Sequence, residues 1–280
     1  MKKYRIYVEI ASLIALLGIT YQSTIIWMAE RFTRTDSYYS HGFLVPLVTA
    51  YLIWMKKEEL AGLKRMPSLW GLVLIVFGLL LHVASTLAEV FFVSGFSIFF
   101  VVFGASLFLY GKEITRKILF PLFFLLFMFP LPLVAINNIS FQLKMFVTNI
   151  AVLTLEKFTS IPLKREGFHI FFPNASLTVG NPCSGLRSLI AMLALGSVFA
   201  YLLRAKIWKK ITLFILAIPI ALFSNYLRVI VLCFAAFIYG NKAIQGLFHD
   251  LTGYLVFVVA FGLLWASFRF LEGSKKENIG

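Results

Sequence analysis

The sequence predicts an all-α polytopic membrane protein with about eight transmembrane helices. Hydrophobic residues make up 60% of the 280 residues, and the mean hydropathy of +0.90 lies well above that of soluble globular proteins. Many apolar runs are long enough to cross a bilayer. The net charge of +14 comes largely from Lys and Arg clusters between these runs, so the positive-inside rule accounts for it and nucleic-acid binding is not indicated.

Five spans are predicted in residues 1–136. A basic leader at residues 1–5 indicates a cytoplasmic N-terminus, and basic clusters at 56–65 and 112–117 mark the later cytoplasmic loops. The fifth span contains three prolines, so we expect it to be kinked. The five predicted spans cover residues 6–27, 42–55, 67–87, 90–110 and 118–136.

Residues 137–182 are predicted to form an extracytoplasmic or interfacial insert. Residues 137–158 mix apolar and charged side chains, as in an amphipathic helix that lies on the membrane or packs on other helices. Short alternating runs then flank a Pro-Asn pair within residues 167–180, which predicts a β-hairpin. This small element leads directly into the first cysteine.

Residues 183–280 are predicted to hold three more spans and to return the C-terminus to the cytoplasm. We therefore treat residues 1–280 as a single integral membrane domain in the plasma membrane, with its last three spans carrying the reactive residues. These spans cover residues 184–203, 211–239 and a last helix from His249 to Arg269.

Cys183 lies in the sequence Asn-Pro-Cys-Ser-Gly-Leu-Arg, where a polar connection meets an apolar run. Asn181 is predicted to cap a helix whose first position is Pro182, which would place Cys183 in the first turn. Amide donors and the helix dipole lower a thiol pKa there and favour the nucleophilic thiolate. The alternative is a buried cysteine that merely begins a transmembrane helix.

Two later residues are predicted to reach the level of Cys183. Arg228 lies roughly 27 Å along its helix from the cytoplasmic end, near the outer face, and His249 begins the last span. Intramembrane ionisable residues are often functional, although an arginine there can also snorkel to lipid headgroups. Together with Cys183 they are typical of a cysteine transpeptidase with a thiolate, an imidazole acid/base and a guanidinium.

Weaker candidates lie around this set. His41, beside two tyrosines on the outer side, is interpreted as lining a substrate entrance, with an aromatic interface belt as the alternative for the tyrosines. Arg187 is placed either to support the thiolate or to meet lipid phosphate. We expect no metal or other cofactor, because neither cysteine has a partner at ligand spacing.

These motifs resemble those of the exosortase/archaeosortase family. The resemblance rests on the Cys183 motif, on Asn-Tyr-Leu-Arg at 225–228 and on His249, together with Tyr-Ser-His-Gly-Phe-Leu-Val-Pro at 39–46. It implies a multipass enzyme that cleaves exported proteins near a C-terminal signal made of a short motif, a transmembrane helix and a basic tail. It also implies that Cys183 is the nucleophile and that Arg228 and His249 complete the site. The candidate substrate-binding residues are His41, Arg187 and Asn225.

Two other classes of function stay open at this point. A transporter would use Arg228 as a site for an anionic substrate and a proline-broken helix for access. A non-catalytic membrane factor for polysaccharide export or assembly would need none of the three reactive residues. Exported proteins with a sorting tail and membrane lipid are the partners expected for the enzyme.

Overall fold

The structure is a computed structural model that describes residues 2–34, 37–240 and 247–273, with the backbone alone for residues 2–7, 182 and 247–250. The chain divides into two compact units, Met1–Pro132 and Leu133–Gly280. Helices dominate both units, and this confirms the predicted all-α membrane fold.

The described part of the first unit contains long apolar helices joined by short helices and turns. A 3-10 turn over Ser40–Phe43 leads into α3, and another over Leu125–Met128 follows α8. The helices are α1 (Lys2–Thr20), α2 (Gln22–Thr33), α3 (Leu44–Trp54), α4 (Lys57–Ala61), α5 (Leu69–Leu87), α6 (Phe91–Tyr110), α7 (Lys112–Lys117) and α8 (Leu119–Phe124).

The predicted span over residues 6–27 is not one continuous helix, because the helix breaks at Tyr21 and α1 and α2 meet at an angle of 84°. At the break, the carbonyl oxygen of Thr20 is hydrogen-bonded to His82, whose Nε2 lies 3.0 Å from it. Since a carbonyl oxygen only accepts, Nε2 is the donor. Tyr21 itself is fully buried, and its hydroxyl lies 2.9 Å from Ser97 Oγ. Side chains of α5 and α6 therefore satisfy the polar groups at the break.

Helices α5 and α6 pack closely through small residues. A Cβ atom added to Gly71 would lie 2.5 Å from the carbonyl oxygen of Gly104, and one added to Gly104 would lie 2.7 Å from the carbonyl oxygen of Gly71. Gly78 lies two turns further along α5, where a Cβ atom would come within 2.7 Å of Val101 Cγ2. Small residues allow backbones to approach in this way, which is a common basis of helix association in membranes.

The proline-rich segment interrupts the helical structure where a kink was predicted. Helix α8 ends at Phe124, and α9 (Leu133–Phe158) begins just after Pro132. The predicted amphipathic helix is therefore present but starts four residues earlier than expected, at Leu133. Prolines cannot donate the backbone hydrogen bonds that would continue a helix, which explains the interruption.

The second unit adds a small sheet and three helices to α9. The strands are antiparallel in the order β1 (Lys164–Glu166), β2 (His169–Phe172) and β3 (Ala175–Thr178), with His169 opposite both Glu166 and Thr178. The β2–β3 hairpin confirms the prediction, whereas β1 was not predicted. The helices that follow are α10 (Leu186–Leu202), α11 (Ile207–Tyr239) and α12 (Leu247–Glu272).

Two buried clusters hold this unit together. The first joins α9, β2, β3 and α11, and it contains Cys183 and Cys233. The second joins α10, α11 and α12 around Met192, Leu213 and Ala260, all of which are fully buried. Helix α11 contributes to both clusters, so it is the central element of the unit.

The number of spans is bounded by helix length and apolarity. Among the described residues, four helices could each cross a membrane, and the count rises to six if each of two interrupted helix pairs is one span. The predicted total of eight would further require the shorter apolar helices Ser40–Trp54 and Leu186–Leu202 to cross. Eight spans therefore stay a prediction.

We expect Gly71→Leu to destabilise the first unit, because the added side chain would overlap the backbone of α6 at Gly104. Overpacking of this kind typically costs roughly 1–3 kcal/mol. The thermal unfolding midpoint of the detergent-purified protein should fall. Gly18→Leu is the matched control, since a Cβ atom at Gly18 meets nothing within 4 Å; equal midpoints for both variants would contradict the packing.

Candidate active site

Cys183 closes a short 3-10 turn between the small sheet and α10. The turn spans Asn181–Cys183, and its hydrogen bonds run from the Cys183 amide to the Gly180 carbonyl (3.0 Å) and from the Ser184 amide to the Asn181 carbonyl (3.2 Å). Only 2% of the Cys183 residue surface is exposed. The structure thus holds the thiol in a buried position at a junction between elements.

The predicted capping of this segment is wrong in one respect. Helix α10 begins at Leu186 with Gly185 as its N-cap, so Cys183 precedes the helix and Asn181 does not cap it. The Asn181 side chain instead accepts a hydrogen bond from Lys144 Nζ on α9 at 3.1 Å. Cys183 therefore does not lie in the first turn of α10, and the sequence signal for that arrangement was misleading.

Ser184 and Gly185 shape the chain between the thiol and the helix. The Ser184 hydroxyl donates to the Asn181 carbonyl at 2.8 Å and accepts from the Leu186 amide at 3.3 Å. Gly185 has a φ of 81°, in the left-handed region where side chains other than glycine are strained. The segment turns sharply at Gly185 and then enters α10.

Asn225 on α11 reaches this turn from the neighbouring helix. Its Nδ2 donates a hydrogen bond to the Cys183 carbonyl at 2.9 Å, and the residue is only 3% exposed. A Cβ atom at Gly185 would lie 2.9 Å from Asn225 Nδ2, so glycine at 185 leaves room for the amide. This contact brings α11 directly against the segment that carries the thiol.

Arg228 follows Asn225 by one turn of α11 and is 9% exposed. Its Nε donates to Thr252 Oγ1 at 3.4 Å, and a Cβ atom at Gly253 would lie 3.4 Å from its Nη2. The guanidinium therefore packs against the first turns of α12. A snorkelling arginine would extend to the lipid headgroups, whereas this one is buried between two helices.

The thiol and the guanidinium are electrostatically coupled. Burial raises the pKa of the Cys183 thiol, and the nearby charge of Arg228 opposes this shift without cancelling it. The expectation that the helix dipole lowers the thiol pKa is therefore wrong, because burial is the larger effect and the cysteine precedes the helix. At neutral pH the thiol is protonated, so attack on a carbonyl would require a base.

Position 249 lies near this site by the geometry of α12. It precedes Thr252 by three residues and Gly253 by four, and residues at these spacings share one face of a helix. That face is the one against which Arg228 packs. The side chains of His249 and Asp250 lie outside the described residues, so the role of His249 stays a prediction.

The weaker candidates are distributed differently. His41 belongs to the first unit, where its ring is hydrogen-bonded to the backbone of Phe127 and its Nε2 is buried without a hydrogen-bond partner among the described residues. Arg187 is half-buried in the first turn of α10. The structure brings together Cys183, Asn225 and Arg228, all within the second unit.

Three further residues around the site were not predicted from the sequence. Lys144 holds Asn181, Thr252 contacts Arg228, and Gly185 provides the left-handed turn. Only Gly185 had a recognisable signal, as the glycine that follows Cys-Ser. No group of three potential metal-ligating side chains occurs among the residues that the structure describes.

Comparisons with known proteins identify the family. Searches of curated proteins and of solved structures gave no match. The family model described as transmembrane exosortase matches residues 27–266, which is most of the chain and includes the Cys183 motif, Arg228 and position 249. The chain belongs to the transmembrane exosortase family.

Proposed function

We propose that the protein is a membrane cysteine protease or transpeptidase that cleaves C-terminal sorting signals of exported proteins. The observation that carries this proposal is the burial of the Cys183 thiol within the electrostatic influence of the Arg228 guanidinium. A passive cysteine has no need of a buried cation nearby. The cost of burying that cation favours a functional role.

In the proposed reaction the sulfur of Cys183 attacks the carbonyl carbon of the peptide bond to be cleaved. Because burial keeps the thiol protonated, a base has to accept its proton, and His249 is the candidate at the start of α12. The imidazolium then gives this proton to the leaving amine as the C–N bond breaks and a thioester forms. Water or an acceptor amine attacks the thioester and releases the product with a free Cys183 thiol.

Arg228 is proposed to stabilise the negative charge that develops on sulfur or on the carbonyl oxygen. Its guanidinium has donors in fixed directions, and the contact with Thr252 restrains that orientation before substrate binds. Preorganised donors of this kind act most strongly where water is excluded. The burial of Arg228 is consistent with such a site.

The site is proposed to face the outside of the plasma membrane, with both termini in the cytoplasm. Cys183 precedes α10, and the basic residues Arg204, Lys206, Lys209 and Lys210 follow its other end. A helix of this length extends roughly 26 Å, so the two ends lie near opposite faces of the apolar layer. The positive-inside rule assigns the basic end to the cytoplasm.

The proposed substrates are exported proteins that end in a short motif, a transmembrane helix and a basic tail. Such a tail would anchor its helix in the same bilayer, with the basic end inside and the motif outside, at the level proposed for Cys183. Membrane lipid surrounds both partners. Family membership supports this substrate class.

We expect Cys183→Ala to abolish processing of tail-anchored exported proteins in the native host, because no other group in the proposed site can form the thioester. Immunoblots should show the unprocessed form accumulating in the membrane. Cys233→Ala is the matched control, since this second buried cysteine lies in α11. Normal processing by Cys183→Ala would favour a transporter or a non-catalytic assembly factor.

His249→Ala should slow the same processing by roughly 10²–10⁴-fold, the usual loss when an acid/base group is removed. His169→Ala should have little effect, because the His169 ring is hydrogen-bonded to the opposite residue of the β2–β3 hairpin. Its Nδ1 lies 2.9 Å from Thr178 Oγ1. Pulse-chase measurement of the cleavage rate compares the two variants. Similar losses for both, at normal protein levels, would mean that His249 is not the base.

Arg228→Lys should lower the cleavage rate by roughly 10²–10³-fold, because an ammonium cannot reproduce the directed donors of a guanidinium. Arg204→Lys is the control, since Arg204 is exposed in the connection between α10 and α11. Both variants should accumulate in the membrane at normal levels. A wild-type cleavage rate for Arg228→Lys would mean that position 228 needs only a positive charge and that Arg228 has no catalytic role.

A further inference from the structure

We infer that Asn225 is a positioning residue that fixes the Cys183 turn, rather than a residue that binds substrate. The catalytic purpose of the turn rests on the proposed function, but the evidence for the role of Asn225 is geometric. The side-chain donor of Asn225 is engaged by the Cys183 carbonyl at 2.9 Å, and the residue is 3% exposed. An amide that donates to the backbone of the turn in this way holds the turn in place.

The contact joins parts of the chain that are distant in sequence. The hydrogen bonds through the Ser184 hydroxyl and the Cys183 and Ser184 amides stay within residues 180–186, and Lys144 bonds the Asn181 side chain to α9. These bonds define the shape of the turn and its connection to α9, but none of them reaches α11. The Asn225 amide supplies the connection to α11.

Gly185 makes the connection possible. A Cβ atom added to Gly185 would lie 2.9 Å from Nδ2 and 3.0 Å from Cγ of Asn225, which is closer than ordinary van der Waals contact. The left-handed turn at Gly185 therefore folds directly over the amide. Asn225 and Gly185 form one unit, in which neither residue can be changed without disturbing the other.

Asn225 also ties the Cys183 backbone to the helix that carries Arg228. Asn225 and Arg228 are separated by one turn of the same continuous helix, Ile207–Tyr239. Because the helix is rigid over one turn, holding the Cys183 carbonyl at Asn225 holds the Cys183 backbone at a set distance from the backbone of Arg228. The amide thus acts on the reaction through Cys183, without touching the reacting atoms.

The test measures Cys183 directly and needs no substrate. In a Cys233→Ala background Cys183 is the only cysteine, so the rate of alkylation by iodoacetamide in the full-length, detergent-purified protein reports on this thiol alone. For Asn225→Ala we expect alkylation roughly tenfold faster or more, which corresponds to the loss of one buried hydrogen bond. Processing in the host should fall roughly 10²-fold, as a displacement of about 1 Å can cause.

Ser224→Ala is the matched control. Ser224 is the neighbouring residue on α11, is 1% exposed, and its hydroxyl has no hydrogen-bond partner among the described residues. Both its alkylation rate and its processing rate should stay within about twofold of the parent, since a surplus hydroxyl contributes little. Faster alkylation of Asn225→Ala together with slower processing is the signature of a displaced nucleophile.

The pH profile separates positioning from a loss of stability. A thiol that leaves its buried place becomes hydrated, so the pH midpoint of alkylation should fall towards that of a free cysteine. A variant that is only less stable would give less protein with an unchanged midpoint. If Asn225→Ala matches Ser224→Ala in rate and midpoint, the inference is wrong.

Gly185→Ala provides a second route if Asn225→Ala does not accumulate. Its added methyl should displace the amide and raise the alkylation rate in the same direction. If both single variants accumulate, their effects in the double variant should be strongly non-additive, because both remove the same contact. Additive effects would then contradict the coupling of Asn225 and Gly185. Alkylation is independent of catalysis, so intact processing by Cys183→Ala would overturn the proposed function without altering this result.

Discussion

The arrangement of the second unit depends on accommodating a buried guanidinium. Moving such a charge out of water costs several kcal/mol unless its surroundings compensate. Arg228 is 9% exposed, and its guanidinium lies against Thr252 and Gly253 of α12. Because α11 carries both Arg228 and Asn225, the same helix that buries the cation also holds the Cys183 turn. The candidate site therefore depends on how α10, α11 and α12 pack.

Burial changes the chemistry expected of the cysteine. A thiol at the start of a helix would be activated by the helix dipole alone, but Cys183 precedes α10 and is almost completely buried. In the proposed reaction, the raised pKa of the thiol means that a base has to accept its proton. A protonated thiol is also less prone to alkylation and oxidation, because the thiolate is the reactive form.

The first unit shows how the chain satisfies polar groups inside an apolar layer. Each unsatisfied backbone group in hydrocarbon costs several kcal/mol, so a helix break needs nearby donors. At Tyr21 the donor is His82, whose Nδ1 is in turn 2.7 Å from Ser94 Oγ. Thr24 Oγ1 lies 2.6 Å from the same hydroxyl. The histidine thus stabilises the bend, and its conversion to an apolar residue would leave the Thr20 carbonyl exposed to the apolar interior.

The sequence alone determined the membrane fold, the β2–β3 hairpin and the family, because hydropathy, turn residues and short motifs are local properties. It also singled out Cys183, Arg228 and His249 as one reactive set and Asn225 as a substrate-binding candidate. Only the tertiary structure showed how Asn225 and Cys183 meet, since the contact between the Asn225 amide and the Cys183 carbonyl joins residues 42 positions apart. Side chains of α5 and α6 likewise satisfy the polar groups at the Tyr21 break, and burial raises the pKa of the Cys183 thiol. Periodicity reports which face of a helix is apolar, but it does not specify which helix will cover that face or how deeply a polar group will be buried.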